Sequence, residues 1–265
     1  MNSLALCLAR ICVEFRISHF EFSALLLAWL LGLANSTAAA DTYAVVQSRI
    51  YKNGLPVQWR GANALDVYSV TESDMQAMDS WGLDIVREVV GNMRDNPLSG
   101  GPQNIGGSWL YSLQSIVDAH RAHGRVTILC PFNWDGASAN QFVGKNPSSM
   151  PWFTDYLTRY REWATQFKDQ PDVWFELWNE PYDWQGGNGY SEALWLADMQ
   201  TMVDNIRSIA PNNLILVPGA RMGGDETVIA HQGPALLAGR TNLVFDCHAY
   251  EAWLYDSQAS VESRV

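Results

Sequence analysis

The sequence predicts an α/β fold in which parallel strands alternate with helices. Six short segments are strand-like, and helix-like segments separate most of them. The strand-like segments are largely apolar, as in parallel strands that helices cover on the outside. No glycine-rich phosphate loop follows the first strand, which disfavours a dinucleotide-binding sheet. A (β/α)8 barrel fits better, and its chemistry would gather at the carboxyl ends of the strands.

The elements of this barrel are predicted in chain order. Region 43–64 reads as a hairpin that turns at Asn53–Gly54, and its second half continues as a strand that ends at Gly61. A later helix, 109–123, has Ser108 as its expected N-cap and Gly124 as its stop. The other expected helices are 72–81, one opened by Pro151, 191–209 and 226–238, and the later strands are 83–90, 125–132, 172–179, 213–219 and 242–250.

Residues 1–40 are expected to form a signal peptide or leader, and 41–265 the barrel domain. Residues 23–34 are an apolar run of signal-peptide length, and small residues then give an A-x-A cleavage pattern. The run is shorter than the roughly 20 residues of a membrane-spanning helix. An uncleaved anchor and a start codon assigned too far upstream are the alternatives. Cleavage near Ala40–Asp41 would release a secreted protein, extracellular or periplasmic.

The charge and the aromatic content of the sequence indicate which kinds of ligand the protein could bind. The net charge of −11 repels nucleic-acid phosphates and suits a neutral substrate. Twelve Trp, ten Tyr and nine Phe supply rings for core packing and for stacking on ligands. Outside the leader only Cys130 and Cys247 occur, and a disulfide and two free thiols are equally compatible with the sequence. We expect no cofactor, no stable membrane partner and a monomer.

A metal centre is not expected either. His120 and His123 have the i, i+3 spacing of half a metal site, but they lie in the last turn of a predicted helix. No acidic ligand pattern accompanies them in the sequence.

The stretch "WFELWNEPYDW", residues 174–184, contains two glutamates, Glu176 and Glu180. If both lie in one strand, about 3.3 Å per residue separates them by about 13 Å. Paired carboxylates of glycoside hydrolases lie about 5 Å apart for retention and about 6.5–9.5 Å apart for inversion, so these two are not such a pair. Their even spacing puts Glu176 inside the barrel and Glu180 at its rim. Glu176 is therefore predicted to be a buried structural carboxylate with a partner such as an arginine.

Four stretches together resemble glycoside hydrolase family 5, the cellulase-type enzymes of a large retaining (β/α)8 clan. They are "NGLPVQWRGAN" (53–63), "REV" from Arg87, "ELWNEP" (176–181) and "HAY" (248–250). The resemblance covers about residues 43–255. It implies a secreted, retaining endo-glycoside hydrolase that cleaves a β-1,4-linked polysaccharide, most of all cellulose or β-glucan. A β-1,4-mannan hydrolase is the alternative, and a non-catalytic, glycan-binding degenerate barrel is the alternative from another class.

The resemblance also implies roles for individual residues. Glu180 resembles the general acid/base, and Asn179 the residue that hydrogen-bonds the 2-hydroxyl of the sugar. Arg87 resembles the arginine that keeps the nucleophile ionised, and a plain barrel ion pair with Glu176 or Glu88 is its alternative. His248 and Tyr250 resemble the pair that positions nucleophile and substrate; a core histidine is the alternative for His248.

Substrate contacts are expected from aromatic residues after the strands. Trp134, Trp184 and Trp253 follow three of them, and their rings could stack on sugars or pack the loops. The family commonly has a histidine near the end of the third barrel strand, where this sequence has Asn133 and Trp134. Asn133 is thus a further candidate for substrate contact.

The nucleophile is not assigned to any residue of this sequence. In the resembled family it is a glutamate after a seventh barrel strand. Only 15 residues follow Tyr250, fewer than one βα unit needs. Glu251 and Glu262 follow no apolar strand. We therefore expect strands seven and eight to be missing from this chain and to be encoded further along a longer gene.

Overall fold

The structure, a computed structural model, describes residues 40–136, 141–249 and 257–262. Apart from Ala40 they belong to one compact unit, Asp41–Val265. The strands are β1 Tyr43–Val46, β2 Arg49–Lys52, β3 Leu55–Pro56, β4 Gly61–Ala64, β5 Ile85–Val90, β6 Gln103–Ile105, β7 Ser108–Leu110, β8 Val126–Pro131, β9 Val173–Glu176, β10 Ile215–Pro218 and β11 Leu243–Asp246. The helices are α1 Glu72–Ser80, α2 Leu113–Ala122, α3 Phe153–Phe167, α4 Glu192–Arg207, α5 Thr227–Leu237 and α6 Gln258–Glu262, with a 3-10 turn at Pro147–Ser149.

The main sheet confirms the predicted α/β class. Six strands lie side by side in chain order, β4, β5, β8, β9, β10 and β11, and every neighbouring pair is parallel. Helices α1 to α5 connect or follow these strands. Among the described residues the sheet ends at β4 on one side and at β11 on the other. This is the strand order of a (β/α) barrel.

The first strands differ from the prediction. The Asn53–Gly54 turn is present, with φ of 53° and 77°, and joins β2 to β3. A second, unpredicted hairpin pairs β1 with β2. The first barrel strand begins at Gly61 rather than ending there, because Gly61 pairs with Ile85 in parallel register. A Cβ on Gly61 would stand 2.6 Å from Ile85 Cγ2, so the close approach of these strands requires glycine.

Helix α2 begins later than predicted. The expected N-cap, Ser108, lies instead in β7, which pairs antiparallel with β6. Ser112 is the cap, and its hydroxyl accepts a hydrogen bond from the backbone N–H of Ser115. Gly124 follows the helix with φ of 73°, as expected for its stop.

Two apolar layers hold the barrel together. The larger layer lies between the sheet and the helices, and α3 buries its predicted aromatic face there, including Tyr156, Tyr160 and Trp163. The smaller layer fills the amino-terminal end of the sheet, where Tyr43 of β1 and Trp59, between β3 and β4, pack edge-on or tilted against each other and Trp174. The carboxyl ends of the strands, at the opposite end, carry the polar groups.

Three further features complete the described fold. The two cysteines among the described residues are free thiols: Cys130 is buried in β8 and Cys247 is exposed just after β11. In the residues that the structure covers, no helix is long and apolar enough to cross a membrane. Residues 1–39 of the predicted leader, 1–40, lie outside the described residues.

Candidate active site

A cavity of about 740 Å³ opens at the carboxyl ends of the sheet strands. It is the place where a (β/α) barrel carries its chemistry. Its lining combines six polar or charged side chains, four of them from the predicted site, with apolar neighbours: Asn63, Ala64, Leu65, Arg87, Val89, Ile128, Phe132, Asn179, Glu180, Leu216, Asp246 and His248.

Glu176 is fixed by Arg87, as the sequence predicted. The Arg87 guanidinium donates from Nε to Oε2 and from Nη2 to Oε1, both at 2.5 Å. The Glu176 side chain is fully buried, and burial raises its pKa, while the adjacent guanidinium acts in the opposite direction. Of the two partners considered for Arg87, Glu176 is the one observed. Glu176 is thus a structural carboxylate that orients the arginine.

Arg87 also orients the amide of Asn179. Its Nη2 donates to Oδ1 of Asn179 at 2.9 Å, and its Nη1 donates to Oδ1 of Asn63 at 3.3 Å. The acceptor side of the Asn179 amide is therefore occupied, and its Nδ2 is a buried donor with no hydrogen-bond partner among the described residues. Asn179 is only 2% exposed, so an unpaired donor here is costly unless a ligand accepts from it.

Glu180 lies beyond the strand rather than within it. Strand β9 ends at Glu176, and Glu180 has a left-handed backbone with φ of 53°. The premise that Glu176 and Glu180 share one strand is therefore wrong, because the chain leaves the sheet between them. They are nevertheless not an acid pair, since Arg87 binds both oxygens of Glu176.

The turn that carries Glu180 is tied to two neighbouring loops. Gly144 donates its backbone N–H to the carbonyl of Glu180, and Met222 donates to the carbonyl of Pro181. Tyr182 also has a positive φ, 63°, and its hydroxyl donates to the buried Asp198. Left-handed non-glycine residues cost about 1–3 kcal/mol each, so these bonds hold a strained backbone that presents Glu180 to the cavity.

His248 lies between two carboxylates. Its Nδ1 is 2.9 Å from Oε1 of Glu180, and its Nε2 is 3.3 Å from Oδ2 of Asp246. Burial lowers the pKa of the imidazole, but Asp246 and Glu180 outweigh burial and raise it to about 9. The backbone N–H of His248 donates to Gly223, where a Cβ would stand 2.9 Å from the imidazole Cγ. The two carboxylates and Gly223 therefore fix the position of the imidazole ring.

Sequence reasoning did not single out Asp246. It ends β11 and lines the same cavity as His248. Side chains alternate along a strand, so a residue two positions before His248 points to the same side. The spacing of two residues between Asp246 and His248 was therefore the sequence signal that could have identified Asp246.

The two described tryptophans that were candidates for sugar contact differ in their exposure. Trp134 is only 6% exposed and stacks on Trp152 at 5.1 Å between centroids, so it offers no open face for the expected sugar contact. Trp184 is 52% exposed. Asn133 accepts the Trp134 backbone N–H on its own Oδ1 and does not line the cavity.

Two other predicted residues, Tyr250 and Trp253, lie outside the described residues, as does Glu251, to which no role was assigned.

Among the described residues, two groups of acidic and histidine side chains could be considered as metal ligands. Within each group, the potential ligand atoms lie within 4.8 Å of one another. One group, in the cavity, consists of Glu176, Asp246 and His248, and its Glu176 is already bound by the Arg87 cation. The other group is Asp66, Glu88 and His120, which lie far apart in the sequence and therefore form no ligand pattern there. His123 diverges from it and pairs with Asp79.

The second group suits a proton better than a metal ion. Arg125 donates to Nδ1 of His120 at 3.3 Å, which leaves the ring proton on Nε2, 2.9 Å from Oδ2 of Asp66. A metal-binding histidine instead needs a lone pair on the coordinating nitrogen and a proton on the other.

Comparison with known proteins agrees with this geometry. The family model described as cellulase, glycosyl hydrolase family 5, matches residues 50–264. Among solved structures, the chain is similar to the catalytic domain of an endoglucanase from Thermobifida fusca, with a TM-score of 0.52 and 19% identity. It is also similar to a β-mannanase from Thermomonospora fusca, with a TM-score of 0.64 and 17% identity, and to a mannanase from Streptomyces sp. SirexAA-E, with 0.63 and 18%.

These structural matches are partial in length. The match covers 77% of this chain and 63% of the endoglucanase domain. For the two mannanases it covers 85% and 86% of this chain, and 70% and 68% of theirs. At such low identity the similarity establishes the fold.

Proposed function

Because the chain belongs to the cellulase family, glycosyl hydrolase family 5, we propose that it is a retaining endo-hydrolase of β-1,4-linked polysaccharide. Glu180 is its general acid/base. The protein is proposed to be secreted and monomeric, and cellulose or β-glucan is the proposed substrate.

The observation that carries this proposal is the buried Nδ2 donor of Asn179, which lies beside Glu180 and has no hydrogen-bond partner among the described residues. Arg87 occupies Oδ1 of this amide, and Nδ2 is buried without a partner among the described residues. A sugar hydroxyl would accept from Nδ2 and remove the cost of leaving it unpaired. Asn179 and Glu180 are consecutive, so a sugar held by the amide lies next to the carboxyl group. This is the arrangement that protonation of a glycosidic oxygen requires.

The family mechanism assigns two steps to Glu180. It first gives its proton to the leaving oxygen as a second carboxylate attacks the sugar, and it then removes a proton from the water that releases the product. The second carboxylate is a glutamate after a seventh barrel strand in the resembled family. Of the described residues, none is assigned to that role.

Structural neighbours support a polysaccharide as the ligand class. One neighbour is a complex of the endoglucanase domain with cellotetraose, and another is a complex of the β-mannanase with mannohexaose. Both glucan and mannan therefore belong in the assay. The cavity is open to such a chain, with exposed Phe132 and Leu65 beside the polar groups.

The decisive experiment replaces Glu180 in the enzyme encoded by the complete gene. We expect Glu180→Gln to reduce hydrolysis of carboxymethylcellulose, mixed-linkage β-glucan or β-mannan by about 10²–10⁴-fold, because general acid/base catalysis contributes that much. Reducing-end release measures the loss, and the fall in viscosity of the wild-type reaction shows endo action. Glu192→Gln is the matched control, since Glu192 is partly exposed on α4, away from the cavity, and bonds His231 and Gln232.

The outcomes of this assay separate the alternatives. Full activity of Glu180→Gln contradicts the assignment. A wild-type enzyme that cleaves only mannan moves the substrate to the mannan alternative. Binding of oligosaccharide without cleavage of any polymer supports the glycan-binding barrel instead. The anomer of the first product, followed by NMR, decides between retention and inversion.

Secretion is tested separately. We expect the protein recovered from outside the cytoplasm to begin at Asp41, as measured by N-terminal sequencing. A protein that keeps residues 1–40 would contradict cleavage of the leader.

A further inference from the structure

Asp246 is a carboxylate of the cavity to which the family resemblance assigns no role. It lines the cavity at the end of β11, and its Oδ2 is 3.3 Å from Nε2 of His248. The other ring nitrogen, Nδ1, is 2.9 Å from Oε1 of Glu180. Both nitrogens of His248 therefore face carboxylate oxygens.

A ring nitrogen beside a carboxylate is most stable as an N–H donor, and two such neighbours favour the imidazolium. Arg87 on β5 acts against the imidazolium, and Glu176 on β9, which Arg87 binds, has its pKa lowered by the nearby His248. From the loop after β10, Gly223 packs against the ring, since a Cβ there would stand 2.9 Å from the imidazole Cγ. The balance raises the imidazole pKa to about 9 against burial, with Asp246 as the largest favourable contribution.

We propose that Asp246 is a positioning residue for Glu180, because it holds the His248 ring with a proton on Nδ1 that is donated to Oε1. This inference rests on the function proposed above. With Oε1 occupied by Nδ1–H, the proton that Glu180 delivers resides on Oε2. If Nδ1 lost its proton, it would accept Oε1–H and turn the acid proton toward the ring instead of the substrate.

The first test observes the ring directly. In wild-type enzyme, NMR titration of His248 is expected to give a midpoint near 9, well above its ordinary value of 6.5. Asp246→Asn removes one negative charge and should lower that midpoint by about 1–3 units. Asp204→Asn is the matched control, because Asp204 pairs with Arg240 on the exposed side of α4, and it should leave the midpoint unchanged.

The second test observes the reaction. The alkaline limb of kcat/KM reports groups of the free enzyme, so in Asp246→Asn it should move to lower pH together with the NMR midpoint. Asp246→Glu, which restores the charge, should recover part of both shifts. An unchanged midpoint and an unchanged limb in Asp246→Asn would overturn the proposal.

The two proposals fail in different ways. If the wild-type enzyme cleaves no polysaccharide, the proposed function fails, while the NMR midpoint still decides whether Asp246 holds the ring. If Asp246→Asn does not fold, as judged by circular dichroism, a wild-type His248 midpoint near 6.5 overturns the inference by itself.

Discussion

Glu88 and Glu176 are two fully buried glutamates of the same parallel sheet, on β5 and β9, and they have opposite surroundings. Glu176 faces the barrel interior and has a two-pronged bond from Arg87. Glu88, the residue after Arg87, faces Asp66 and His120. Burial is the same in both cases, so the partner alone decides which charge state each carboxyl can hold.

Glu88 is stabilised by its proton rather than by a cation. Burial raises its pKa to about 8, the Asp66 carboxylate adds to the rise, and the Val67 backbone N–H, 3.0 Å away, opposes it. Its Oε2 and the Oδ2 of Asp66 have no geometrically suitable hydrogen-bond partner among the described residues. At neutral pH, a proton on Glu88 removes the repulsion between the two acids.

The largest effect should come from removing the cation of the interior pair. Arg87→Met leaves Glu176 fully buried without its counter-charge, and breaking a buried pair in this way costs about 3–5 kcal/mol of unfolding free energy. Urea unfolding at pH 7 measures it. Arg94→Met is the control, because Arg94 is half-exposed beside Asp95 and its loss should cost less than about 1 kcal/mol.

The double variant sharpens the same comparison. Adding Glu176→Gln to Arg87→Met should recover part of the lost stability, since it removes the uncompensated charge and keeps the shape of the side chain. A double variant less stable than Arg87→Met alone would show that Glu176 is stabilised by something other than Arg87.

The sequence predicted an arginine partner for Glu176 and left Glu176 and Glu88 open as partners of Arg87, and it missed the group of Glu88, Asp66 and His120 for a geometric reason. Strand parity alone places Arg87 and Glu176 in the barrel, where few partners are available. Glu88 points the other way, and its partner Asp66 comes from a loop that folds back over the strand, with the Val67 N–H bonded to Glu88. No local pattern in the sequence encodes that return.

The same distinction explains the other differences. Alternation of apolar strands and periodic helices predicted the six-stranded sheet, because each element carries its own period. The start of α2 was misjudged because Ser108 is drawn into the β6–β7 hairpin. Sugar stacking and loop packing were both open for Trp134, and stacking against Trp152, which arrives from beyond the strand, decides for packing. Pairings between segments decide these cases, and a sequence pattern shows only one segment at a time.

A smaller change in stability, and one that depends on pH, should come from replacing Glu88. Its pKa is 4.5 when unfolded and about 8 when folded, so its contribution to stability is fully present below about pH 4.5 and is lost as pH rises through 8. Glu88→Gln keeps the shape of the protonated side chain but cannot ionise. We therefore expect it to match the wild type in Tm near pH 5 and to exceed it progressively between pH 5 and pH 9.

Glu162→Gln is the control for this titration, since Glu162 is half-exposed and pairs with Arg159 on the surface of α3, where its loss should give no such gain. A Glu88→Gln variant that is less stable than the wild type at pH 7 would mean that Glu88 is already ionised in the folded protein at that pH. Asp66 and His120 would then have to hold a negative charge at Glu88 as Arg87 does at Glu176, and the contrast between the two glutamates would disappear.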